Sequence, residues 1–150
     1  MEKIVKTNKP EETKELGKQL GLLAKENMVF TLTGDLGAGK TTLTQGIAKG
    51  LNIEKTVSSP TFTILKIYHG RMDLYHFDAY RLEGLHQDLG FEEMIDGDGL
   101  TVIEWPMYIQ DMIGEEFLEI EIKFIEEEVR EFVLKANGKA YEELLGEIQL

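Results

Sequence analysis

Met28-Val29-Phe30-Thr31-Leu32-Thr33 runs straight into Gly34-Asp35-Leu36-Gly37-Ala38-Gly39-Lys40-Thr41-Thr42, and the fold is most readable from this junction. The first six residues form an unbroken apolar and β-branched run, the pattern of a strand covered on both faces. The next eight match GxxxxGK[ST] in full, and Leu43, Ile47 and Leu51 then recur every fourth residue, so a helix is expected from Lys40 to Leu51. A strand, a glycine-rich turn and a helix in that order form the setting in which this motif has a mechanism. Glycines allow the backbone to point several N–H groups inward, and the helix N-terminus adds the positive end of its dipole. The loop is therefore expected to cradle phosphates through Asp35, Gly37, Ala38 and Gly39. Lys40 would reach the outer phosphates, the Thr41 hydroxyl would ligate Mg²⁺, and Thr42 would offer a backbone N–H.

Outward from this junction, strands and helices alternate. Lys3 to Thr7 reads as a short strand, and a helix starting near Pro10 places Leu16, Leu20, Leu23 and Ala24 on one face through about Glu26. Beyond the phosphate loop, Phe62–Tyr68 and Met72–Phe77 read as a hairpin turned by Gly70 and Arg71 and ending at Asp78. Residues 85–95 suggest a short helix, and Leu100–Ile103 another buried strand, closed by Glu104, Trp105 and Pro106. Leu118, Ile120, Ile122 and Phe124 alternate with Glu119, Glu121 and Lys123, a strand with one wet face, and residues 129–136 return as its antiparallel partner. Tyr141, Leu144, Leu145 and Ile148 end the pattern as an amphipathic helix. The expected class is α/β, a P-loop NTPase-type three-layer fold with a mostly parallel central sheet plus antiparallel hairpins, in one domain over residues 1–150.

Sixteen Lys and Arg against twenty-eight Asp and Glu give a net charge of −12. The charge is uneven: residues 1–50 hold eight basic and six acidic side chains, whereas residues 101–150 hold four and thirteen. So acidic a chain argues against wrapping bare nucleic acid, which rests on Lys and Arg displacing counterions. The absence of cysteine removes disulfides, thiolate zinc sites and thiol nucleophiles together. No apolar run follows the charged first residues and none approaches the ~18 residues of a membrane span, so a cytoplasmic protein is expected.

Nucleotide chemistry needs an acid near the metal and a group that orients the attacking water. Asp78 and Glu104 each close an apolar strand, and in parallel α/β sheets ligands gather at the carboxyl ends of strands. Both acids are thus candidates for catalysis and for the metal, although a strand-terminal acid in solvent has the same local sequence. Ser58-Ser59-Pro60-Thr61 lies where nucleotide-sensing segments sit, with Thr61 a candidate ligand contact; a proline turn with capping serines fits the same residues. His69, His76 and His86 are spaced too irregularly for a metal set, and His76 shares a strand face with Asp78, which suits a supporting polar contact. Glu126-Glu127-Glu128 reads as a solvated turn.

With these residues in view, the chain resembles the TsaE (YjeE) family over nearly its whole length. The resemblance rests on GDLGAGKTT at 34–42, SPTFT at 59–63, HFDAYRL at 76–82 and EWP at 104–106, in that family's order and approximate spacing. It implies a small ATPase required for threonylcarbamoyladenosine modification of tRNA, with ATP and Mg²⁺ held by Lys40, Thr41 and Thr42. It also implies that Asp78 and Glu104 act at metal and water, that Trp105 packs beside the site, and that Thr61 lies in a nucleotide-responsive loop. Partners of the TsaB and TsaD types are implied; the C-terminal hairpin and helix carry no comparable motif, and Arg130 there is a candidate for an adenine contact on position alone.

Two rival classes fit less well. A small-metabolite kinase brings several arginines in a lid, and this chain has only Arg71, Arg81 and Arg130. A GTPase would place its guanine-reading motif after the phosphate loop, whereas Asn8-Lys9 precedes it. A nucleotide-gated interaction module with incidental hydrolysis stays open beside the ATPase reading.

Overall fold

The computed structural model describes residues 1–34, 39–57, 65–78, 97–104 and 113–149. Its elements are β1 (Glu2–Thr7), α1 (Pro10–Leu23), β2 (Val29–Gly34), α2 (Lys40–Gly50), β3 (Leu65–Tyr68), β4 (Leu74–Asp78), β5 (Leu100–Glu104), β6 (Phe117–Glu126), β7 (Val129–Asn137) and α3 (Lys139–Glu147). The seven strands form one sheet in the order β1-β7-β6-β2-β5-β4-β3. Its four central strands, β6, β2, β5 and β4, run parallel, while β7 and β3 add antiparallel pairing on either side and β1 joins β7. The expected α/β class, with parallel centre and antiparallel hairpins, is what the sheet displays.

The central strands read as continuous apolar runs because both their faces are covered: Val29, Phe30, Thr31 and Leu32 are all buried, as is every residue of β5. One face supplies Phe30, Leu32, Val102, Leu118 and Ile120 to the main core, where Leu16 and Leu20 of α1, Leu43 and Ile47 of α2, and Leu144 and Leu145 of α3 meet them. The wet-face pattern of β6 holds through Ile122 and fails at Phe124, which is 57% exposed. The strand runs past the helices there and its register shifts between Phe124 and Glu126.

Helices α1 and α2 touch through glycine. A Cβ on Gly17 would meet the carbonyl oxygen of Leu43 and one on Gly21 that of Ile47; reciprocally, Gly46 stands against the carbonyl of Lys14 and Gly50 against that of Lys18. Two small residues four apart on each helix thus bring the backbones together, as small-xxx-small spacing does wherever helices approach closely.

Helix α1 ends at Leu23, three residues short of the periodicity-based expectation, and the chain turns at Asn27 with φ of 72°. No basic residue occupies its last turn. Arg71 of the β3–β4 turn supplies the charge instead, its guanidinium within hydrogen-bonding distance of the carbonyls of Gly21 (2.6 Å), Leu22 (3.2 Å) and Ala24 (3.1 Å). These are carbonyls that a helix end leaves without partners, at the negative end of its dipole. Arg71 also donates its backbone N–H to Leu51 just past α2, at 2.7 Å, so Met72 and Asp73 belong to the turn and β4 begins only at Leu74.

The helix expected over 85–95 and residues 62–64 of the expected strand lie outside the described residues. Among the described residues no helix is long and apolar enough to cross a membrane.

Candidate functional site

Strand β2 ends at Gly34 and α2 starts at Lys40, so the GxxxxGK[ST] stretch joins a strand's carboxyl end to a helix N-terminus. Gly39, the residue before the helix, has φ of 108°, a left-handed conformation that side chains resist. Its carbonyl accepts the first helical bond, from the Leu43 N–H at 2.9 Å. Lys40 is buried, and its ammonium donates to the Gly34 carbonyl at 2.6 Å, which ties the start of α2 to the end of β2. Thr41 and Thr42 follow in the first turn, half-buried. The hydroxyl of Thr44, one turn on, donates to the Lys40 carbonyl at 2.8 Å and stays within the helix. Asp35, Gly37 and Ala38 of the loop lie outside the described residues, as do Thr61, Arg81, His86 and Trp105.

Strand β5 lies directly beside β2, and β4 beside β5, all parallel, so their carboxyl ends share one edge of the sheet. Leu32 pairs with Glu104, and Glu104 with Asp78. The two strand-end acids are therefore register partners with backbones about 5 Å apart. Alternation from the core residue Val102 puts both on the side of the sheet that α2 covers. Neighbouring carboxylates on one face repel each other. A divalent cation relieves that repulsion, and Mg²⁺ is commonly held by one or two carboxylates together with substrate phosphates. No cluster of three or more metal-type side chains occurs among the described residues. The residues present thus fit a Mg²⁺-bound polyphosphate: a glycine turn, a helix N-terminus, a buried lysine and two acids.

Glu104 is only 5% exposed, and its Oε2 lies 2.8 Å from Nε2 of His76, which is completely buried. His76 pairs with Val102 and Asp78 with Glu104, so the imidazole meets the acid diagonally across two parallel strands. The sequence placed His76 with Asp78 on one strand face; its bond to Glu104 depends on a register that no local pattern discloses. His69 bonds instead to Asp73 at 2.8 Å in solvent.

Arg130 pairs with Thr7 of β1 and sits across from Phe124, its guanidinium carbon 4.6 Å from the centre of that ring. Its Nη1 lies near the carbonyls of Glu126 (3.0 Å), Glu127 (2.6 Å) and Val129 (3.0 Å). A Cβ added to Gly39 would stand 4.0 Å from its Cγ and Nε, so the arginine stem borders the phosphate loop. Gln45 of α2 donates to the Val57 carbonyl at 3.0 Å, fixing the chain just ahead of Ser58.

Comparison with known proteins agrees with this geometry. The family described as "Threonylcarbamoyl adenosine biosynthesis protein TsaE" matches residues 7–132. A Bacillus subtilis (strain 168) relative described as tRNA threonylcarbamoyladenosine biosynthesis protein TsaE is 46% identical over 144 residues, which cover 95% of this chain and 91% of the relative. One of the same description from Treponema pallidum (strain Nichols) is 39% identical over 126 residues, 83% of this chain and 93% of its own. The crystal structure of YdiB from Bacillus subtilis superposes with a TM-score of 0.82 at 38% identity, covering 98% of this chain and 93% of that one. A phosphate loop flanked by in-register acids, on a sheet shared with YdiB and a sequence shared with these relatives, places the chain in the TsaE family.

Proposed function

We propose that this protein is a Mg²⁺-dependent ATPase that serves threonylcarbamoyladenosine modification of tRNA, working through TsaB- and TsaD-type partner proteins. The observation that supports it most is the register pairing of Asp78 with Glu104 one strand away from the phosphate loop. In this reading Lys40 and the N–H groups opening α2 bind the phosphates, Thr41 and Asp78 hold the metal, and Glu104 orients the attacking water beside it. Asp35, Gly37, Ala38 and Thr42 add loop contacts, Thr61 senses the outer phosphate, and Arg130 borders the nucleotide from the β6–β7 hairpin. Bound Mg²⁺ would neutralise charge building on the β- and γ-phosphate oxygens.

The names of the relatives support the pathway, and the acidic composition suits a role exercised through partner proteins. Turnover by the isolated chain is expected to be slow: of the two arginines among the described residues, Arg71 is engaged at the end of α1 and Arg130 with hairpin carbonyls, so neither serves as an arginine finger as it stands.

Calorimetry and phosphate release provide the test. Lys40→Ala is expected to weaken ATP binding by about ten- to a hundredfold, the size of a lost charge-assisted contact. Asp78→Ala and Glu104→Ala are expected to keep nucleotide and lose turnover, measured with the partner proteins present. An acid variant that hydrolyses ATP at the parental rate would remove that residue from the mechanism.

A further inference from the structure

We infer that His76 is a positioning residue for Glu104: its imidazole fixes the carboxylate in the orientation that water activation requires. This rests on the reading of Glu104 as the acid that orients water. His76 has no exposed surface, and its Nε2 lies 2.8 Å from Glu104 Oε2. Its other ring nitrogen, Nδ1, is buried with no hydrogen-bond partner among the described residues. A neutral imidazole carries one proton and offers one acceptor. In the neutral ring, a bond to the carboxylate puts the proton on Nε2 and leaves Nδ1 as the bare nitrogen. An unmet acceptor in a core is costly, and it persists where the other half of the ring does something that an apolar side chain does not.

The bond also selects between the two carboxylate oxygens. Oε2 is tied to His76, which leaves Oε1 as the oxygen open to a water, on a residue in register with Asp78. The arrangement parallels the general rule that a carboxylate or imidazole acting on a reactive centre is oriented by a further hydrogen bond. Leucine at 76 would fill the space and suit the neighbouring core, so packing alone does not account for histidine.

Two measurements test this. In the parental protein, 15N-labelled histidine spectra should show His76 protonated at Nε2 and unprotonated at Nδ1; protonation at Nδ1 instead would overturn the assignment without any variant having to fold. In turnover assays, His76→Leu should lower kcat about tenfold or more while KM for ATP and the calorimetric Kd stay within about twofold, since one oriented group is worth one to a few powers of ten. His76→Gln, which keeps an N–H near the Nε2 position, should recover much of that loss. In a Glu104→Ala background, His76→Leu should change kcat no further. A folded His76→Leu protein turning over at the parental rate, with Glu104→Ala inactive, overturns the positioning role alone. Parental turnover by Glu104→Ala overturns the reading beneath it as well.

Discussion

Tyr141 links the last helix to the strand that feeds the phosphate loop. Its hydroxyl accepts the Val29 N–H at 2.8 Å, satisfying a backbone donor at the start of β2. Burial raises the phenol's pKa above its ordinary 10.0, the Glu116 charge raises it further, and the Val29 bond pulls the other way. The folded protein therefore holds this proton at a pH where the unfolded chain has released it. The contribution to stability is complete below pH 10 and is lost as pH climbs through the raised value. Thermal melts from pH 7 to 11 should show Tyr141→Phe less stable at neutral pH by about 1–3 kcal/mol, because Val29 loses its acceptor. The same variant should lose less stability than the parent above pH 10; parallel slopes would assign the alkaline loss to other groups. At this scale the sequence was most readable where chemistry is local. Lys40 and Thr41 are defined by eight contiguous residues, whereas the partner of His76 is set twenty-eight residues away, and Arg71 finds carbonyls forty-seven to fifty residues back.

Among the elements, the α1–α2 seam makes the sharpest demand. Adding a methyl to a helix glycine ordinarily stabilises the helix by up to about 1 kcal/mol. At Gly46 that methyl would collide with the Lys14 carbonyl and the Gly17 Cα, and at Gly146 of α3 it would meet nothing. Gly46→Ala should accordingly destabilise the protein by about 1–3 kcal/mol, the usual cost of overpacking. Gly146→Ala should be neutral or slightly stabilising, and chemical denaturation of the pair measures both. Equal effects would mean that the helices can separate to accept the methyl. Glycine at 17, 21, 46 and 50 was visible in the sequence with its four-residue spacing, yet periodicity registers apolar side chains, and a contact made through missing side chains leaves no hydrophobic signal. Strand alternation in β6 was legible for the same reason up to Ile122, then misplaced Phe124, since period two says which way a residue points and nothing about where the covering helices stop.

For the molecule as a whole, the acidic C-terminal third now has an address. Strand β6 turns through Glu126, Glu127 and Glu128, all exposed, beside the exposed Phe124 and Ile125, while Lys40 and α2 occupy the less acidic first third. A surface of net charge −12 repels a polyanion at a distance, and screening within about 10 Å at 0.1 M salt reduces that repulsion without reversing it. In filter binding at physiological salt the isolated chain should therefore retain little tRNA; micromolar retention with a steep salt dependence would show a basic grip that the charge distribution does not suggest. The α/β class and the parallel centre were readable because buried parallel strands announce themselves as apolar runs. The strand order was not, since pairings such as Glu2 with Lys135 join residues that no window along the chain contains.

That pairing bears on how the protein comes into being. Among the described residues, strand β1 contacts the sheet only through β7, and Lys3 is anchored by the Ile148 carbonyl at 2.7 Å. Strand β1 is made long before its partner β7 and is thus among the last to find its place. At about 5–20 residues per second, synthesis from Thr7 to Val129 leaves it waiting on the order of ten seconds. During that interval the β2–α2 unit and its seam with α1 can already form, since every residue they need has emerged. The α1–α2 seam therefore needs nothing that is made late, while the seven-stranded sheet closes only when the C-terminal hairpin arrives.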